Sequence, residues 1–298
     1  MNRRDKLLHG LDFQTRTGIE IGALAKPLVR KSEGAIFYVD YADAAFLKQR
    51  FKDNAQVDCD KIVEVDAVWG ENTLSECIGR AGPFDYVLAS HVVEHVPDLI
   101  TWLRELESVL KPDGQVRLAV PDRRFTFDHF RRETHFPEVL AAHHLQSRKP
   151  TVQQVFDYVL DTVEVDAAQA WRGAVPPLQP KSAEMVASLQ GLANDIVRNG
   201  AYHDVHCWVF TPASFAQLME RLALYGLIGF KCIEVHDTAC NEMEFFVAMQ
   251  RCPDADEIAR SWRRMQQVAA QGARSLKARY LGAKLRGVAG RVWRQRKD

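Results

Sequence analysis

Phe84-Asp85-Tyr86-Val87-Leu88-Ala89-Ser90-His91-Val92-Val93-Glu94-His95-Val96-Pro97-Asp98 is the stretch from which the rest of this chain can be read. Tyr86 to Ala89 is a short apolar run after a Gly-Pro breaker, which predicts a buried parallel strand. His91, Glu94 and His95 come just past its carboxyl end, the edge of an open α/β sheet at which ligands sit. Leu99, Leu103, Leu106 and Leu110 then recur at three- and four-residue spacing, which predicts an amphipathic helix begun near Glu94 and His95, where a carboxylate complements the helix dipole. Lys111-Pro112-Asp113-Gly114 stops that helix with turn chemistry. Gln115 to Val120 reads as the next strand, closed by Pro121-Asp122.

The remaining chain extends this alternation in both directions. Thr17 to Gly22 predicts a first strand running into a glycine turn, Ala35 to Asp40 a second, and Lys61 to Ala67 a third. Beyond Asp122 about eighty residues separate the fifth strand from a predicted sixth, His206 to Phe210, far more than a crossover of roughly a dozen needs. That span carries two helical patterns, Val152-Val155-Phe156-Val159-Leu160 and Met185-Val186-Leu189-Leu192-Ile196, around a proline-rich break at Val175 to Pro180. It is read as a helical insertion, 123–201, forming a cap. Thr211 and Pro212 have the chemistry of an N-cap and first helical position. Lys231 to His236 and Glu244 to Gln250 read as a terminal pair of strands.

Composition bounds the function classes. With 298 residues, 47% hydrophobic and 26% charged, the chain is globular with a sizeable core. No run approaches the roughly 20 apolar residues that cross a bilayer, and Met1 to Lys6 is basic without a signal peptide's apolar core. The six cysteines form no CxxC pair, so neither a zinc site nor a disulfide framework is signalled, and a reducing cytoplasm is expected. Net charge is zero but unevenly placed. Basic residues dominate from Ala255 onward and the body is acidic, which argues against nucleic-acid binding.

Strand, acidic-histidine loop, helix, "KPDG" turn, strand and "VPD" together resemble S-adenosylmethionine-dependent methyltransferases of the Rossmann-like class, type 11-like. "SHVVEHVPD…LRELESVLKPDG…LAVPD" is similar to that family's fourth through fifth strands, and the resemblance covers roughly Thr17 to Arg251. It implies a seven-stranded, mostly parallel sheet with the last strand antiparallel, built from a methyltransferase domain over 1–254 and followed by a helical tail over 255–298. It also implies S-adenosylmethionine as cofactor, held by Glu20, Gly22, Ala23, Asp40, Tyr41, Asp66, Ala67, Ser90, His91 and His95. Within that set Asp40 is placed on the ribose hydroxyls and Asp66 on the adenine amino group, with the backbone of Ala67 at the ring. Two departures stand out. Ala23, Leu24 and Ala25 occupy the family's later glycine positions, and the insertion has no counterpart in detail. Asp40 can alternatively cap the following helix, a role open to Asp43, and Trp69 either walls the adenine or belongs to the core.

Methyl transfer to a hydroxyl benefits from a general base, and histidine titrates in the right range. The candidates are His203 or His206, with Asp204 as orienting partner, and then His129. Arg123, Arg124, Arg131 and Arg132, with Asp128 beside them, form a charged cluster past the fifth strand suited to a phosphate or carboxylate on the acceptor, or are solvated arginines paired with Glu133 and Asp128. The His/Asp collection shows no spacing diagnostic of a metal, and none is assigned. "GIEIGALAKPLV", "YVDYAD", "IVEVDAVW" and "VPDRRFTFDHFRR" further resemble methyltransferases of bacterial surface-polysaccharide assembly. That implies O-methylation of a sugar or glycan-phosphate at the inner face of the cytoplasmic membrane. The basic tail, with Ile258, Trp262, Met265 and Val268 and then Leu276, Tyr280, Leu285, Val288 and Val292 among its arginines and lysines, is read as an amphipathic element for lipid or a glycan-assembly partner. A soluble natural-product acceptor, and a non-catalytic cofactor-binding assembly component, are the rival readings. A nicotinamide enzyme lacks its GxGxxG here.

Overall fold

The computed structural model describes residues 1–70 and 72–270. In chain order the elements are α1 Arg3–Leu8, β1 Thr17–Ile21, β2 Ala35–Asp40, α2 Ala44–Phe51, β3 Ala67–Val68, α3 Leu74–Ile78, β4 Phe84–Ser90, α4 Leu99–Ser108 and β5 Leu110–Pro121. There follow α5 Phe136–His144, α6 Val152–Asp161, α7 Ala167–Trp171, α8 Ala183–Asn199, α9 Pro212–Leu224, β6 Phe230–His236 and β7 Glu244–Arg251. A last helix, α10, runs over 255–270.

The seven strands lie in one sheet in the order β3-β2-β1-β4-β5-β7-β6. β1 pairs parallel with both β2 and β4, and β4 pairs parallel with β5. β7 is inserted antiparallel between β5 and β6. This is the predicted Rossmann-like architecture. The chain reverses direction across the sheet between β1 and β4, so their carboxyl ends open the crevice where ligands bind. Strand interiors are apolar on both faces: Ile19, Val87, Leu88, Val116, Leu118 and Val120 are all buried, as a sheet covered on two sides requires. Gly18 lets β1 and β4 pair this closely, since a Cβ there would lie 2.0 Å from the Tyr86 ring.

Several local expectations are corrected. The third strand shrinks to Ala67–Val68, because Cys59–Lys61 forms a 3-10 turn and the residues up to Asp66 make only scattered bonds to their neighbours. Two examples are Val63 N to Leu24 O and Asp66 N to Tyr38 O. His206 to Phe210 is not a sheet strand. It meets the sheet only at an isolated bridge, Asp122 to Phe210, and the amides of Cys207 and Trp208 donate to the carbonyl of Glu94. Its strand-like apolarity comes from burial of Trp208, Val209 and Phe210 under the sheet edge. Glu94 and His95 do not begin a helix; Asp98 caps α4 by accepting from Thr101 N. Thr211 caps α9, with Pro212 at its start, as the sequence indicated.

The insertion carries four α-helices, α5 to α8, joined by irregular segments. α5 packs against α4 and α9, and α6 against α8. α7 is pinned to the sheet edge by Trp171, which stacks on Phe125 at 4.3 Å. Only Val155 in α6 and Leu189 in α8 are fully buried, so the outer part of the insertion is thinly packed.

Candidate active site

The loop after β1 is organised by Glu20. Its carboxylate is buried and accepts from Leu28 N at 2.8 Å and Val29 N at 3.2 Å, folding residues 22–29 back against the strand. Burial pushes the Glu20 carboxyl up to about 7, although the Leu28 and Val29 amides pull it down. Gly22 turns the chain at φ +70°, and a Cβ there would sit 3.0 Å from Val92. The missing later glycines are absorbed by Leu24, which itself takes φ +44°.

Asp40 ends β2 at 6% exposure. Among the described residues its carboxylate accepts one hydrogen bond, from Tyr41 N at 2.8 Å. Burial pushes it up to about 6, opposed in part by that amide. Asp43, not Asp40, caps α2 through Phe46 N. Tyr41 is exposed beside it, edge-on to Phe46. Asp66 accepts from Tyr38 N at 2.8 Å and Lys31 Nζ at 2.5 Å, and Ala67 next to it opens β3. Ala23 is buried, and Trp69 packs against the main core from a half-buried position.

Across the crevice, the residues past β4 lie in a tight turn. His91 adopts φ +55° and shares a proton-bearing contact of 2.7 Å between its Nε2 and Glu244 Oε2. Arg3 reaches from α1 to bond both Glu244 and Ser90. Burial works against the Glu244 carboxylate, but His91 and Arg3 outweigh it and hold its pKa below the ordinary range. Glu94 and His95 stand deeper, facing His206 from the segment under the sheet edge.

The histidine partners differ from those expected. His206 Nδ1 bonds Asp128 Oδ2 at 2.6 Å, while Asp204 bonds His95 Nδ1 at 2.9 Å. The two rings meet edge to face at 4.7 Å. Burial opposes a charged His95, yet the Asp204 bond and the fields of Glu94, Asp204 and Asp128 raise its pKa overall. His203 lies on Asp195 at 3.2 Å, and His129 Nδ1 bonds the Arg124 carbonyl. Neither reaches this cluster by any bond among the described residues.

The arginines are engaged by the protein itself. Arg124 grips Asp122 through Nε and Nη2. Arg131, 3% exposed, bonds Asp128 Oδ1 and the His206 carbonyl, each at 2.8 Å. Arg123 donates to the His129 carbonyl. Asp128 therefore belongs to the histidine cluster, held there by Arg131, and burial of its carboxyl is outweighed by His206 and Arg131 so that its pKa is lowered. Sequence reading missed Glu244, which is brought to the site by the insertion of β7 beside β5, and Arg3, which reaches it from α1. It also missed the buried role of Glu94.

A family model described as "Methyltransferase domain" matches residues 4–227. No curated protein matches the chain. Among solved structures, one provisionally described as a Zn-dependent alcohol dehydrogenase from Rhodobacter sphaeroides is 12% identical, covering 83% of this chain and 88% of that one at a TM-score of 0.45. An S-adenosylmethionine-dependent methyltransferase from Mesorhizobium loti is 11% identical over 80% of this chain and 93% of that one, at 0.39. Another, provisionally so described, from Listeria monocytogenes is 13% identical over 83% and 95%, at 0.40. These likenesses are too distant to carry a functional argument.

Proposed function

The chain belongs to the methyltransferase domain family, and from that premise we propose that it methylates a hydroxyl of a sugar or glycan-phosphate acceptor. S-adenosylmethionine is the cofactor, and bound in the crevice it supplies an electrophilic methyl group on a sulfonium centre. The residues present fit it. Asp40 offers a buried carboxylate with one hydrogen bond made and acceptor capacity left for two ribose hydroxyls. Gly22 keeps the backbone open at the end of β1. Retention of that turn without the later glycines favours a working site over a degenerate one. The observation that carries the hydroxyl reading is the pair of carboxylate-held imidazoles, His95 on Asp204 and His206 on Asp128. Such a cluster takes up the acceptor's proton as the new C–O bond forms and the S–C bond breaks, its electron pair leaving on sulfur.

The sugar acceptor rests on resemblance to polysaccharide-assembly methyltransferases, and it is tested by transfer of labelled methyl from S-adenosylmethionine to a panel of sugar nucleotides and glycan-phosphates. Incorporation at a hydroxyl is expected. Transfer only to a soluble aromatic or amine acceptor would replace the glycan reading with the natural-product one.

Among the described residues no helix is long and apolar enough to cross a membrane. The basic stretch from Leu276 to Val292 lies outside the described residues. We place its role at the anionic inner face of the cytoplasmic membrane, where each Lys or Arg adds roughly 1 kcal/mol of attraction. Full-length protein is expected to co-sediment with phosphatidylserine vesicles at low salt and a 271–298 deletion to stay in solution. Equal sedimentation of the two would rule out the lipid role.

A further inference from the structure

We propose that Glu94, His95 and His206 form a divalent-cation site. Glu94 is 1% exposed, and neither carboxylate oxygen has a hydrogen-bond partner among the described residues. His91 Nδ1 lies 3.6 Å from Glu94 Oε1 without hydrogen-bonding it, and a buried carboxylate left this way costs several kcal/mol unless a cation answers it. One ligand atom from each of the three residues lies within 4.8 Å of the other two. His206 Nε2 stands 4.0 Å from Glu94 Oε1, too far for a hydrogen bond and within reach of a shared ion.

The surrounding bonds point the rings at that space. Asp204 accepts from His95 Nδ1, and Asp128 accepts from His206 Nδ1 while Arg131 holds Asp128 in place. Each carboxylate fixes the tautomer with the proton on Nδ1 and leaves the Nε2 lone pair to a metal, the usual outer support of a ligating histidine. Two imidazoles and one carboxylate suit zinc, cobalt or manganese better than magnesium or calcium, which favour all-oxygen shells. Three protein ligands leave a coordination position open, as catalytic sites do. Bound there, the ion would acidify the acceptor hydroxyl, whose proton would leave to water, and the two imidazoles would serve as its ligands and not as the free base described above; this half rests on the methyl-transfer reading, and the binding of the ion does not.

The test is titration of chelator-stripped, full-length protein with cobalt chloride, followed by visible absorption, with neither cofactor nor acceptor present. One saturable equivalent with ligand-field bands is expected. Glu94→Gln, which keeps the shape of the side chain, should abolish it. Asp204→Asn lies at the surface and spares the fold, and it should weaken cobalt binding at least tenfold by releasing the His95 ring. His236→Ala controls for the separate grouping of His9, Glu234 and His236 and should leave the signal unchanged. No saturable binding, unaltered binding in both Glu94→Gln and Asp204→Asn, or loss in His236→Ala would overturn the proposal. Calorimetry of S-adenosylmethionine on the same samples reports the cofactor site separately, so failure of one reading is not mistaken for failure of the other.

Discussion

Asp40→Asn is expected to weaken S-adenosylmethionine binding by roughly a hundredfold or more, with the fold intact. Each hydrogen bond to an ionised group contributes roughly 1.5–3 kcal/mol, and two ribose hydroxyls would meet one carboxylate whose only partner among the described residues is Tyr41 N. The pH dependence follows from burial, which lifts the Asp40 carboxyl to about 6. Hydroxyl donors favour the ionised form. Affinity should therefore be constant above that pH and fall by about tenfold per unit below it. Stability of the free protein should move the other way. A carboxyl whose folded pKa lies above its unfolded value contributes stability present in acid, and that contribution is lost as pH rises through the folded value. For Asp40 the window is about 4 to 6, and the size is roughly 3 kcal/mol. Glu20, raised to about 7, acts with the same sign, so the difference between wild type and Asp40→Asn isolates Asp40. Calorimetry from about pH 5 to 8, with urea unfolding from about pH 3.5 to 7, measures both. Binding by the variant at wild-type strength, or a pH-independent wild-type affinity, would remove Asp40 from the ribose site.

The parts of this fold that were legible in the sequence are those in which pattern and packing agree. Val87, Leu88 and Ala89 read as a buried strand because β4 is central and covered on both faces. Leu99, Leu103 and Leu106 read as one helix face because that face is the one buried, whereas Leu110, read with them, opens β5. The reading failed where apolarity and strand pairing part company. Trp208 to Phe210 is as apolar as a central strand, yet its amides are answered by the Glu94 carbonyl and one bridge. The candidate site was legible as an edge and not as a set of partners. Asp204 is two residues from His206, so the sequence paired them. The folded chain instead gives His206 to Asp128, 78 positions away, and Asp204 to His95, 109 positions away. No local spacing encodes such pairings. The buried state of Glu94 depends on the same return of residues 204–208 across the β4 turn.

Trp262→Ala is expected to cost roughly 3–5 kcal/mol of stability, the range for a large aromatic removed from a packed core. Trp262 is fully buried in α10, donates through Nε1 to the Phe230 carbonyl at 2.8 Å, and meets Phe215 edge to face. Ile258 and Met265, on the same stripe, are also buried. Ser261 Oγ accepts from Cys232 N, and Lys231 pairs with Glu257, so α10 is fastened along β6 by polar bonds as well. The apolar face that looks membrane-directed in the sequence is thus spent on the core as far as Met265, while Val268, read on the same face, is exposed. Such a loss is a large share of the roughly 5–15 kcal/mol by which folded domains exceed their unfolded chains. Trp262→Phe, which keeps most of the ring volume and gives up the Phe230 bond, should lose only about 1 kcal/mol. Urea unfolding of both variants decides the matter. A Trp262→Ala loss below about 1 kcal/mol would detach α10 from the core and return its apolar stripe to the surface.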